Sequence, residues 1–227
     1  MHIRNIELVK WLALLLMVCD HINKYLLNNS IPLLYNVGRL AMPLFCLMLS
    51  YNLSRPNSFQ NRVYYRVSMR LIIFGALATP AYILLGNVIN HWWPLNILFT
   101  LLSLTIVCYL IENGTTNSTI FAFLTLILSG AVVEFCWPAI SMGVCFWLYL
   151  KKKNPIFLLL TILFCASLDY INQNFYALFS IPLALLAGSV KIKIKRLKWF
   201  FYIFYPLHLY LILAVRLYYI KQGYLFF

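Results

Sequence analysis

Polar and apolar positions along the chain alternate on a coarse scale. Long, almost uninterrupted apolar runs are separated by short polar breaks, a pattern that helices at the edge of a water-soluble core do not show. The runs cover residues 6–27, 33–53, 67–85, 95–111, 119–133, 138–150, 155–168, 175–190 and 199–220. They predict an all-α polytopic membrane protein, a bundle of about nine transmembrane helices, although some runs fall short of the roughly 20 residues that cross a bilayer. The fifth and sixth runs are the least clearly divided. The break at 134–138 reads either as a turn outside the membrane or as a kinked, re-entrant passage. No long linker, low-complexity tract or internal repeat interrupts the series, so residues 1–227 read as a single integral membrane domain.

Composition agrees, with 63% of residues hydrophobic and 10% charged, which is more apolar surface than a soluble domain of this size can hide. The net charge of +13 would suggest nucleic acid in a soluble protein. Here the basic residues fall in short loops between apolar runs, where topology and lipid head groups account for them and no nucleic acid is expected. With the N-terminus inside, the cytoplasmic side receives Arg4, Lys10, Arg55, Arg62, Arg66, Arg70, Lys151, Lys152, Lys153 and the basic cluster at 191–198, leaving only Lys24, Arg39, Arg216 and Lys221 elsewhere. The positive-inside rule therefore predicts N-in and C-out. The six cysteines lie within apolar runs without CxxC or metal-ligand spacing, so neither a disulfide framework nor a metal site is expected. The first run lacks a basic lead and a small-residue cleavage site, which favours a retained helix over a removable signal peptide.

One stretch breaks the apolar rule. Asp20, His21, Asn23 and Lys24 follow an apolar helix that is already deep in lipid, where each Asp or Lys costs roughly 2.5 to 3.5 kcal/mol at a helix centre. Asp20 and Lys24 are spaced i,i+4 and share a face, whereas Asp20 and His21 point about 100° apart. The functional reading is a site facing protein or water; the alternative is an Asp20–Lys24 pair near the interface with His21 bonded to a neighbouring helix. At about 1.5 Å per residue, His21 lies about 22 Å along its run, and Gly38–Arg39 lies at a similar depth on the returning run. Pro43 offers no N–H to the Arg39 carbonyl four residues earlier, and Gly38 allows close approach of another helix. Arg39 thus reads either as part of the site or as a snorkelling partner of Asp20. Asn96, Glu134 and His208 add polar groups that could face the same cavity, with Pro206 again releasing a backbone carbonyl. Trp92 and Trp93 read as interface anchors.

Taken together, Asp20-His21-Ile22-Asn23, Gly38-Arg39-Leu40-Ala41-Met42-Pro43-Leu44-Phe45, Asn52-Leu53-Ser54-Arg55, Asn96-Ile97-Leu98-Phe99 and Phe204-Tyr205-Pro206-Leu207-His208-Leu209 resemble the TraX family. The motifs occur in the family's order and span nearly the whole chain. The resemblance implies a bacterial inner-membrane protein of a conjugative system that N-acetylates the amino terminus of a pilin. It also implies similarity to multi-spanning acyltransferases that use acyl-CoA and an intramembrane histidine. On this basis His21 is the expected catalytic base, and Arg39 and His208 are further motif positions. The chain lacks the longer polar N-terminal extension of the pilin acetylase, a departure that bears on the acceptor more than on the chemistry.

Acetyl transfer to an amine needs a base, a donor to the developing oxyanion and an activated thioester. His21 suits the base, Arg39 or Asn96 the oxyanion donor, and Asp20 an ion partner fixing Arg39 or Lys24. The phosphates of acetyl-CoA, the expected acyl donor, need cations on the cytoplasmic side, for which Arg62, Arg66 and Arg70 are available on neighbouring turns. The same arginines are also what the positive-inside rule places there. The expected partners are membrane lipids and a pilin or another small membrane-associated acceptor. Two other readings stand beside this one: a proton-coupled transporter, which also needs intramembrane ionisable groups, and a non-catalytic assembly factor in which they are packing glue.

Overall fold

The computed structural model describes residues 5–86, 88–192 and 194–226; Arg4 and Lys193, counted above among the basic residues, lie outside them. Each of the nine apolar runs is helical. The elements are α1 (Ile6–Leu26), α2 (Pro32–Gly38), α3 (Ala41–Leu53), α4 (Val63–Leu84), α5 (Ile97–Asn113), α6 (Thr116–Gly130), α7 (Cys136–Lys152), α8 (Pro155–Ser167), α9 (Asp169–Asn172), a 3-10 turn (Phe175–Phe179), α10 (Ser180–Ser189) and α11 (Phe200–Lys221). Among the described residues, four stretches are long and apolar enough to cross a membrane: Pro32–Leu53, Val63–Leu84, Pro155–Asn172 and Phe200–Lys221. Helix α1 carries Glu7, Lys10, Asp20 and Lys24, a high charge content for a span, and α5, α6 and the Phe175–Ser189 segment are shorter apolar helices.

Helix α3 is the central post. It packs against α1, α5, α7 and α10, and around it run contacts from α1 to α11, α11 to α4, α4 to α5, α5 to α7, α7 to α8, and through the 3-10 turn to α10 and back to α1. Leu44, Cys46, Ser50 and Leu53 of α3 are fully buried. Helix α6 packs on α5 and α7 and leaves Ile120, Phe121, Phe123 and Leu128 exposed, as a lipid-facing helix does. Close approach rather than hydrophobic transfer holds helices together in lipid. It is visible where α3, α5 and α7 meet: the Ser50 hydroxyl donates to the Gly143 carbonyl at 2.7 Å, and a Cβ on Gly143 would lie 2.5 Å from Leu104.

The structure differs from the sequence expectation at two places that matter for the site. The second run is broken in two, because Gly38 ends α2, Arg39 and Leu40 form a turn, and Pro43 sits in the first turn of α3, the position where a missing N–H costs least. The third run begins earlier than its apolar pattern indicates. Val63 starts α4, with Arg62 as its left-handed cap at φ 51°, because the first turn buries Tyr64 while Tyr65 and Arg66 face outward.

Candidate functional site

The chamber lies where the end of α1 meets the α2–α3 break, the start of α5 and the loop at 131–135. Asp20, His21, Lys24, Arg39 and Glu134 line it together with the apolar side chains of Met17, Met42, Phe45 and Ile97, around about 50 Å³ of free space. Five of the polar residues singled out from sequence thus converge although they come from three separate parts of the chain.

Asp20 is paired with Arg39 and not with Lys24: the guanidinium donates to Asp20 Oδ1, with both side chains largely buried. The Arg39 plane lies over the Tyr35 ring at 4.4 Å, and its Nε donates to the Tyr35 carbonyl at 3.4 Å. Tyr35 in turn donates its hydroxyl to the Asn172 carbonyl at 3.0 Å. The arginine is therefore gripped on one face and two edges, an arrangement lysine cannot reproduce. Sequence reasoning missed Tyr35, although its place one helical turn before Arg39 is the spacing at which a ring can lie under a guanidinium.

His21 Nδ1 lies 2.6 Å from His208 Nε2, and the two rings are nearly parallel, 8° apart. His208 Nδ1 lies 3.0 Å from the Phe204 carbonyl. A carbonyl only accepts, so His208 Nδ1 carries the proton, and neutral His208 offers a lone pair at Nε2. His21 must then donate from Nδ1, which leaves its Nε2 unprotonated. A chain of two bonds, anchored on a backbone carbonyl one turn below His208, thereby selects the His21 tautomer that can take up a proton.

Asn23, inside the same sequence motif, has a different task. Fully buried, it accepts from the Ile31 N–H at 3.1 Å through its side chain and from the Asn29 N–H at 2.9 Å through its carbonyl. It ties the α1–α2 turn rather than facing the chamber. Lys24 lines the chamber, its ammonium 5.4 Å from the centre of the Tyr25 ring.

The remaining candidates lie elsewhere. Asn96 caps α5, accepting from the Leu98 N–H at 3.1 Å, and its amide donates to the Gly75 carbonyl at 3.1 Å and the Thr79 hydroxyl at 3.2 Å. Those bonds occupy both of its donors. Arg62 borders a groove of about 650 Å³ with Phe59, Gln60, Tyr65, Ser68 and Tyr109, in which the Phe59 and Tyr109 rings stack at 5.4 Å. Arg66 is exposed on the next turn. Arg70 turns away toward α11 and stacks on Trp199 at 4.2 Å. The three arginines thus do not form one cluster. From Ile97 beside the chamber to Tyr109 beside the groove, α5 rises about 18 Å, so the two cavities sit toward opposite ends of the bundle.

Comparison with known proteins returns no match among curated proteins or solved structures. A family model described as TraX protein matches residues 5–216, a stretch that contains every residue of both the chamber and the groove, and the chain belongs to the TraX family.

Proposed function

We propose that this chain is an acetyl-CoA-dependent acetyltransferase of the bacterial inner membrane that N-acetylates the amino terminus of a pilin. It would cross the bilayer nine times, N-in and C-out. TraX membership connects the chain to conjugative pilus systems. The observation that carries the enzymatic reading is the hydrogen-bond chain that leaves His21 Nε2 unprotonated in a charged chamber among apolar helices.

In this reading the amine nitrogen attacks the thioester carbonyl while His21 Nε2 accepts its proton. The N–C bond forms, the C–S bond breaks, and the proton passes to the departing sulfur. The developing oxyanion faces Lys24 and the remaining N–H groups of Arg39, preorganised by Asp20 and Tyr35. Asn96, its donors taken, supports the start of α5 rather than the oxyanion. The groove bordered by Arg62 suits the nucleotide end of coenzyme A, offering aromatic surface for the adenine and a guanidinium for phosphate. The pantetheine arm would then run along α5 to the chamber.

Incubation of the purified, lipid-reconstituted protein with labelled acetyl-CoA and a membrane-inserted pilin tests the reading. Label on the pilin amino terminus is expected; ion-gradient-dependent flux with no labelling would replace the enzyme by a transporter. For the topology, a single cysteine at Lys152 in a background without native cysteines should react with impermeant reagents from the cytoplasm, and one at Asn29 from outside. The reverse pattern would invert the orientation.

A further inference from the structure

The chain has five acidic residues, and the ion pairs formed among the described residues take up three of them: Glu7 with Lys10, Asp20 with Arg39, and Glu112 with Lys151. Glu134 lines the same chamber as His21 yet enters no ion pair within 4.0 Å among the described residues. Its position is fixed by the backbone. The Glu134 N–H donates to the Leu95 carbonyl at 2.9 Å, and its carbonyl accepts from the Thr100 hydroxyl at 2.7 Å. The next two residues, Phe135 and Cys136, both take left-handed conformations, φ 62° and 49°, which non-glycine residues adopt at a cost of about 1–3 kcal/mol each. The loop therefore holds a half-buried carboxylate at the chamber wall at some expense in backbone strain.

We infer that Glu134 is the recognition group for the acceptor amine, which it receives as the ammonium ion. The inference deepens the proposed acetyl transfer and rests on it for the chemistry that follows binding. The chamber's charges explain the fit. Asp20 and Arg39 form a closed pair, whereas Lys24 and Glu134 face the same space as an open pair, so the empty chamber is neutral. A bound ammonium makes it positive by one until one proton leaves to water and frees the nitrogen lone pair. Attack then moves the second proton to His21 as negative charge develops on the thioester oxygen, so the total stays neutral and the oxyanion forms beside the positive charges of His21, Lys24 and Arg39. The ammonium loses two protons overall: one ends on the coenzyme A sulfur as the free thiol and the other leaves to water.

The test uses reconstituted full-length protein and two forms of one pilin, with a free or a formylated amino terminus. Wild type should bind the free-amine form more tightly, and Glu134→Gln should raise the KM for that form by about tenfold or more, leave the KM for acetyl-CoA unmoved and bind the formylated form as wild type does. Glu134→Asp should recover part of the difference. Wild type that transfers acetyl but binds both pilin forms equally, or Glu134→Gln with an unchanged preference for the free amine, would overturn the inference. If Glu134→Gln does not fold, the wild-type comparison alone decides. Discrimination between the two pilins without any acetyl transfer would keep the ammonium site and remove the enzymatic reading.

Discussion

Gly38 and Asp20 meet with no room between them. A Cβ on Gly38 would stand 2.5 Å from the Asp20 Cβ and 2.6 Å from its Oδ1, so the absent side chain is what lets α2 approach the carboxylate and lets Arg39, one residue on, reach it. Gly38→Ala should push the two segments apart, costing about 1–3 kcal/mol by overpacking and reducing acetyl transfer. Thermal unfolding in detergent and turnover with acetyl-CoA check both effects.

His208 is hydrogen-bonded to His21. His208→Leu removes the acceptor that fixes the His21 tautomer and should lower kcat by about 10- to 100-fold, the usual scale for losing an orienting partner. His208→Gln, whose amide oxygen can accept and whose amide nitrogen can donate, should recover part of the loss. Nitrogen NMR of His21 in the two variants reports the tautomer directly, and equal spectra would make His208 a packing residue.

Asn96→Ala should unfold more readily than wild type, by about 1–3 kcal/mol, because it loses a helix cap and two bonds to α4. The KM for acetyl-CoA should not change in the protein that remains folded. A raised KM at normal stability would return Asn96 to the donor site.

Arg62 and Arg70 should separate. Arg62→Lys removes a planar fork from the groove and should weaken acetyl-CoA binding by about tenfold, since a charge-assisted bond contributes roughly 1.5–3 kcal/mol. Arg70→Lys loses its stack on Trp199, worth about 0.5–1 kcal/mol where partly exposed, and should lower stability with little effect on KM. Titration of each variant with coenzyme A reads the difference.

The membrane class and the positions of the helices were legible because apolar runs separated by polar breaks leave few other folds. Helix rise alone sets His21 and Arg39 at one level, and the structure brings both to one chamber with Asp20. What helix rise cannot give is azimuth between helices. Nothing in the spacing of Arg62, Arg66 and Arg70, each four residues from the next, says that α11 stands where Arg70 points. Nor does the polarity of Asn96 or Asn23 reveal that their amides serve backbone groups of the next turn or helix. The pairing of His21 with His208, 187 residues apart, was legible only as two histidines of similar setting.

The interruption after Gly38 gives one apolar run two mechanical characters. Below it, α3 is clamped on several sides, with Ser50 bonded to α7. Above it, α2 is a seven-residue panel fastened to the α9 region by the Tyr35 hydroxyl on Asn172 and by Asn174 on Asn36 at 3.3 Å. Helix α2 also packs along α1, so the panel is held from two sides. A chamber of about 50 Å³ holds a few atoms of water size, less than the polypeptide terminus proposed as its acceptor. Arg39 lies in the turn between the panel and the post, so the ion pair that sets the chamber's charge is also the rivet that fastens the break in the run to α1.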